Sequence, residues 1–286
     1  MKEVVVLSGK GGTGKTSIVG GLACLVDNKV LCDCDVDAAD LFLLLDPVRK
    51  QDNEFWSGQT ARIEPEKCTQ CGLCEDMCRF DAISDYAVNP SFCEGCGFCS
   101  HICPEEAIIM EDNLSGHWYF SDTRYGPLVH ARLGIAEENS GKLVSTVRKE
   151  AWRVGEEMGL DYVITDGPPG IGCPVISSLS GASAALVVTE PTLSGMHDLE
   201  RVIGVCKHFG VPAMVCINKY DLSEENTTSI ESTCQELGLE VVARIPYDDV
   251  ITEALIKGVP VIEYTSGEVA RQMESMWQSV SRIIAS

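Results

Sequence analysis

Short apolar runs recur along the chain, rich in β-branched residues, and several end at a carboxylate, an amide or a glycine. They include residues 3–8 (Glu-Val-Val-Val-Leu-Ser), 29–32 (Lys-Val-Leu-Cys), 161–166 (Asp-Tyr-Val-Ile-Thr-Asp), 184–189 (Ala-Ala-Leu-Val-Val-Thr) and 212–218 (Pro-Ala-Met-Val-Cys-Ile-Asn). Runs without polar alternation read as strands buried on both faces, the habit of parallel sheets. Helical spacing fills the intervals at 17–26, at 143–158 and in a C-terminal stretch carrying Val269, Met273, Met276, Trp277, Val280, Ile283 and Ile284. The pattern predicts an α/β fold, a mostly parallel sheet with helices on both faces. One interval breaks it. Residues 60–112 are crowded with cysteine and predict a small inserted α+β module, leaving 1–59 and 113–286 as the main domain. Residues 46–59 read as a polar linker and 116–120 as a strand or hairpin. The stretch Glu137-Glu138-Asn139-Ser140-Gly141-Lys142 reads as a surface turn capping the next helix.

The first strand runs into Gly9-Lys10-Gly11-Gly12-Thr13-Gly14-Lys15-Thr16-Ser17. This fits G-x-x-x-x-G-K-[ST] between a strand and a helix, the context in which that motif cradles phosphate. Glycines let backbone N–H groups turn toward phosphate oxygens, and the helix N-terminus adds a favourable dipole. Lys15 is expected at the β- and γ-phosphates and the Thr16 hydroxyl on Mg²⁺. Two strand ends add carboxylates on the ligand-binding side of a parallel sheet. They are Asp33 and Asp35 after 29–32, and Asp166 before Gly167-Pro168-Pro169-Gly170. Asp166 is the expected Mg²⁺-holding carboxylate, with 167–172 as a switch loop, while Asp37 and Asp40 read as solvated or capping residues.

Eight of the fifteen cysteines fall in two runs, Cys68-x-x-Cys71-x-x-Cys74-x-x-x-Cys78 and Cys93-x-x-Cys96-x-x-Cys99-x-x-x-Cys103-Pro104. Each has the bacterial ferredoxin spacing, in which the fourth cysteine serves the other cluster. The expected centres are two [4Fe–4S] clusters, one on Cys68, Cys71, Cys74 and Cys103, the other on Cys93, Cys96, Cys99 and Cys78. Arg79 stands where the motif carries proline, a residue that supplies no donor atom. Zinc is the competing occupant, but this is not zinc-ribbon spacing. Cys32 and Cys34 read as small buried apolar groups.

The early lysine of the loop, Lys10, makes Lys-Gly-Gly-x-Gly-Lys-Thr resemble the deviant Walker A motif of the MinD/ParA/Mrp superfamily, which includes the nitrogenase iron protein. The resemblance implies an ATPase using ATP and Mg²⁺, a homodimer or paralogous heterodimer closing over nucleotide, and Lys10 acting in trans. It implies a water-positioning and Mg²⁺-sensing role for Asp35. It also implies adenine contacts from Asn218 and from Pro246, Tyr247 and Asp248, so Asn218-Lys219-Tyr220-Asp221 reads as adenine-contacting, although it looks like the guanine motif of GTPases. The whole arrangement resembles superfamily ATPases with an inserted ferredoxin domain. The activity implied is slow, partner-stimulated ATP hydrolysis that gates electron transfer to a redox or metallocluster partner protein. The alternative is an iron–sulfur or metal-cluster carrier of the Mrp type. Cys173, seven residues after Asp166, matches the interval of a bridging-cluster ligand in the nitrogenase iron protein, and reads equally as a structural thiol before Pro174.

Charge narrows the partners. The chain has 286 residues, 45% of them hydrophobic, with 22 basic against 43 acidic residues and a net charge of −21. Such a surface repels phosphate backbones and anionic membranes, so no nucleic-acid partner is expected. No apolar run is long enough to span a bilayer. The C-terminal periodic stretch, flanked by Glu268 and Glu274, is expected to pack on the sheet and not on lipid. A cysteine load of this kind suits a reducing compartment, and the chain is expected to be cytoplasmic.

Overall fold

The computed structural model describes residues 1–134 and 140–285. Residues 137–139 of the turn read above lie outside the described residues. The chain divides into two compact units, one of residues 1–52, 118–132 and 140–286, the other of 53–117 and 133–139.

The strands are β1 (Lys2–Ser8), β2 (Lys29–Asp33), β3 (Val48–Ile63), β4 (Ile83–Ser84), β5 (Ala87–Val88), β6 (Ile108–Thr123), β7 (Gly126–Leu133), β8 (Tyr162–Pro169), β9 (Ala184–Thr189), β10 (Ala213–Asn218) and β11 (Glu240–Ile245). All but β4 and β5 lie in one sheet, in the order β11-β10-β9-β1-β8-β2-β7-β6-β3. The pairings of β1 with β8 and β9, of β10 with β9 and β11, and of β2 with β7 and β8 are parallel. Alternation within β1 shows why the run is unbroken. Val4 and Val6 enter one core cluster, Val5 and Leu7 another, so both faces are covered.

The first core is closed by α1 (Lys15–Leu25) and by a C-terminal helix, Glu268–Ala285, whose Val269, Met273, Met276, Val280 and Ile284 are buried against it. The expected packing of that helix on the sheet is what is found. The opposite core takes Cys173–Leu179, Leu193–His208 and Glu224–Glu236. Buried among them, the Glu3 carboxylate of β1 is gripped by Arg148 of helix Ser140–Met158, with Nε and Nη2 at 2.9 and 2.5 Å. Thr165 and Trp152 also donate to it, each at 2.8 Å, which leaves neither carboxylate oxygen bare.

Residues 48–63 correct the linker reading. They form one sixteen-residue strand, with its first half almost wholly exposed. Over that first half, at the sheet edge, backbone pairing and not side-chain burial holds the strand, and that leaves no apolar signature there. Its partner β6 continues into β7 through the two-residue turn Arg124–Tyr125, extending the expected hairpin in both directions. No helix among the described residues is long and apolar enough to cross a membrane.

Candidate nucleotide site and cysteine quartets

The phosphate loop is held from behind by β10. Gly14 has a left-handed φ of 89° at the N-cap of α1, and a Cβ there would stand 2.3 Å from Asn218 Nδ2. That Nδ2 donates to the Thr13 carbonyl at 2.7 Å, and Asn218 Oδ1 accepts from the Lys219 amide at 3.1 Å. The Asn218 amide is thus committed to the loop's own shape. Gly11 and Gly12 are exposed, and Thr16 and Ser17 sit half-buried in the first turn of α1.

Lys15 is almost fully buried, with Nζ 2.5 Å from Asp166 Oδ1 and 3.4 Å from Asp35 Oδ2. Asp33, wholly buried, pairs in register with Asp166 across β2 and β8, and its Oδ1 accepts from the Asp35 amide. Three carboxylates therefore face one ammonium. Burial pulls the Lys15 pKa down, but Asp166, Asp35 and Asp33 outweigh it and hold the ammonium above the usual lysine value. Burial, with Asp166 alongside, raises Asp33 well above the usual carboxylate range. Asp35 is raised by burial and by Asp166 against the pull of Lys15. Thr13 Oγ1, Asp33 Oδ2 and Asp166 Oδ2 are buried with no protein partner. Such orphans at parallel strand ends are what a hydrated cation and a phosphate would satisfy.

One acidic residue missed in the sequence reading, Glu190, joins this site. Glu190, directly after β9, receives Lys10 Nζ at 2.7 Å and Lys219 Nζ at 3.2 Å. Lys10 also donates to Ser194 Oγ at 3.0 Å, and Lys219 to the Gly12 carbonyl at 3.1 Å. The strand-end rule that selected Asp33 and Asp166 applies equally to Glu190. Pro246, Tyr247 and Asp248 lie outside this hydrogen-bond cluster: the Tyr247 amide donates to Asp221 Oδ1 at 2.7 Å, and Asp248 caps helix Asp249–Ile256 through the Val250 amide. Asp37 is exposed, and Asp40 holds the N-cap position of helix Leu41–Leu45, as expected.

The profile of the CobQ/CobB/MinD/ParA nucleotide binding domain, CbiA, matches residues 4–261. The chain belongs to this family. An uncharacterised protein of Methanocaldococcus jannaschii, MJ0578, is 37% identical over 227 residues, 78% of this chain and 80% of that protein. The septum site-determining protein MinD of Thermotoga maritima is 25% identical over 283 residues, 96% of this chain and 85% of its own. The fold is that of the Pyrococcus horikoshii MinD solved with Mg-ADP, with a TM-score of 0.62 at 19% identity, covering 99% of this chain and 96% of that one.

The family's nucleotide-binding domain accounts for the loop and the strand-end carboxylates. The cysteines form a separate pattern, in the second compact unit. One cavity is lined by Cys68, Cys71, Cys74 and Cys103, and another by Cys78, Cys93, Cys96 and Cys99. In both, the fourth cysteine of one run joins the first three of the other. The two halves repeat in backbone detail. Cys78 Sγ accepts the Ala82 amide and Cys103 Sγ the Ala107 amide, each at 3.4 Å, across a left-handed Asp81 or Glu106. Gly95 is required by close approach, since a Cβ would lie 2.1 Å from the Gln59 carbonyl oxygen. Ala61, Ile63, Ile83 and Ile108 form the small core behind the quartets. Burial raises the Cys74 and Cys99 thiols, and neighbouring cysteines raise both further.

Among the described residues no three His, Cys, Asp or Glu side chains converge on a point that could hold a single metal ion. The thiols surround cavities instead. Cys32 and Cys34 are fully buried, 3.5 Å apart through sulfur, as the sequence reading had them. Cys173 is exposed in the first turn of helix Cys173–Leu179.

Proposed function

We propose that this chain is a dimerising ATPase whose nucleotide cycle gates electron transfer through two [4Fe–4S] clusters to a partner protein. The ATPase domain would comprise residues 1–59 and 113–286, with 60–112 as an inserted ferredoxin-like domain. The observation that carries this reading is the sorting of eight cysteines into two crossed quartets, each around its own cavity, in a chain of the MinD/ParA nucleotide-binding family. Four cysteines around one cavity, with ferredoxin spacing in both runs, are the donor set a cluster would take.

On the nucleotide side, Gly11, Gly12, Thr13, Gly14, Lys15, Thr16 and Ser17 would hold the phosphates of ATP. Thr16, Asp35 and Asp166 would hold Mg²⁺, which supplies charge neutralisation between the phosphates. The buried, unpartnered oxygens of Thr13 and Asp166 support that assignment. Lys15 is ready in its charged form, and phosphate would replace carboxylate as its partner. Asp35 would orient the attacking water, and Lys10, released from Glu190, would reach the nucleotide of a partner subunit. The base would lie against Asn218, Pro246, Tyr247 and Asp248. Iron–sulfur centres, when bound, would supply one-electron chemistry; Ile63, Ile83 and Ile108, packed behind the cysteines, would shield them from solvent. A thiol-rich chain of this composition suits the cytoplasm.

One feature favours the carrier alternative. Cys71 and Cys96, one from each quartet, are exposed, which would let an acceptor thiol reach a cluster. A single experiment separates the two. Protein purified without oxygen is assayed for iron, for EPR signals on reduction, and for cluster reoxidation by an acceptor with and without ATP. Electron transfer predicts ATP-dependent reoxidation with iron retained; a carrier predicts loss of iron to an apo-acceptor protein. A colourless, iron-free protein with stoichiometric zinc overturns both.

A further inference from the structure

The unit formed by residues 53–117 and 133–139 combines two features that point outward. Around the cavity of Cys78, Cys93, Cys96 and Cys99, three large apolar side chains stand in solvent: Met77 is 49% exposed, Phe80 41% and Phe98 45%. Phe92, adjoining Cys93, is 59% exposed. Side chains of this size are costly to leave in water, and their grouping at one cavity mouth marks an interaction surface. The cavity of the other quartet has only Leu73 and Tyr86 in that state.

Charge identifies the kind of partner. Over residues 53–117, Asp and Glu outnumber Lys and Arg twelve to three. Two of those three cations are already engaged, Arg62 with Glu111 and Lys67 with Glu64. Glu94 lines the cavity, exposed Asp76 and Asp81 adjoin its lining residues Met77 and Phe80 in the chain, and Arg79 is the cation among them. An apolar centre within an anionic border complements a protein with an apolar contact ringed by Lys and Arg.

We propose that the rim of the Cys78/Cys93/Cys96/Cys99 cavity, built from Met77, Phe80, Phe98 and Glu94, with exposed Phe92 and Asp81 next to lining residues in the chain, is the docking face for a cationic redox protein. It rests on the electron-transfer reading above, and names the exit point and the partner's surface chemistry. The apolar side chains hold the complex and the carboxylates steer its formation, so affinity depends on the first and salt sensitivity on the second.

The test uses the full chain, purified without oxygen, and cytochrome c, a small cationic haem protein, as probe. Affinity is measured by titration calorimetry at low and moderate salt, with iron counted in every sample. Phe80→Ser with Phe98→Ser is expected to weaken binding by about tenfold at low salt, in the range of apolar interface anchors. Asp81→Asn with Glu94→Gln is expected to flatten the salt dependence. Ile256→Ser, an exposed apolar change on the ATPase unit, is expected to leave both unchanged. Affinity indifferent to the rim variants, or equally lost in Ile256→Ser, overturns the docking face. Iron-free samples with stoichiometric zinc that still bind through Phe80 and Phe98 would support the face and overturn the electron-transfer reading. Iron-loaded samples indifferent to the rim would do the reverse.

Discussion

At the scale of single residues, the nucleotide site is a problem of excess negative charge. Asp33, Asp35 and Asp166 surround one ammonium, and Asp33 Oδ2, Asp166 Oδ2 and the nearby Thr13 Oγ1 are buried without protein partners. Replacing Asp166 by Asn removes a proposed Mg²⁺ holder while keeping the shape. ATP turnover should fall by about 10²-fold or more, while nucleotide binding, read by fluorescence titration, changes far less. Lys10 is a different case. Its ammonium rests on Glu190, Ser194 and, more loosely, Thr192 of its own chain, so a role across a dimer requires those contacts to be exchanged. Lys10→Ala is expected to retain nucleotide binding and to lose the rise of specific ATPase activity with protein concentration. Unchanged concentration dependence would remove the trans role. The sequence marked Lys10 through its motif, but its resting partner Glu190 lies far along the chain and could be found only once β9 was set beside β1.

At the scale of elements, polar links decide more than the apolar pattern suggests. Arg148 joins the long helix Ser140–Met158 to β1 through Glu3, and to helix Cys173–Leu179 through the carbonyls of Ser177 and Ser180. Arg148→Met would leave the Glu3 carboxylate buried beside only Thr165 and Trp152, and should cost about 3–5 kcal/mol in urea unfolding. Adding Glu3→Gln should recover much of that loss. His130 of β7 provides a pH-dependent link. It is buried against Ser121, Tyr119 and Phe42, and burial, with Arg49 nearby, lowers its pKa to about 4. The unfolded chain binds this proton near pH 6.5 and the folded chain only near 4, so stability is full above 6.5 and falls as pH drops through that window. The loss should be on the order of 3 kcal/mol, and His130→Phe should flatten it in urea midpoints measured between pH 4 and 7. The buried strands were legible because their apolar runs require two covered faces. The first half of β3 was not, since an exposed edge stretch carries no periodic burial to read.

At the scale of the whole molecule, the sorting of cysteines can be tested without reference to activity. If the quartets are crossed, Cys68→Ala with Cys103→Ala should lose the same share of iron as either single change, about half. Cys68→Ala with Cys78→Ala should lose nearly all of it. The reversed pattern, about half lost in the Cys68/Cys78 double and nearly all in the Cys68/Cys103 double, would show that each run serves its own centre. The chain divides into two compact units, and the eight cysteines of the two runs all lie in the one formed by residues 53–117 and 133–139.

The sequence alone determined the phosphate loop, the strand-end aspartates, the two cysteine runs and the sheet's buried strands, because local spacing and unbroken apolar runs write those features directly into neighbouring residues. Only the tertiary structure decided what meets across long separations. It put Glu190 under Lys10, committed the Asn218 amide to the phosphate loop, made an edge strand of residues 48–63, and set Met77, Phe80 and Phe98 at the mouth of a single cavity. Those outcomes depend on strand order and on which side chains are left in solvent, and no local pattern of residues carries either.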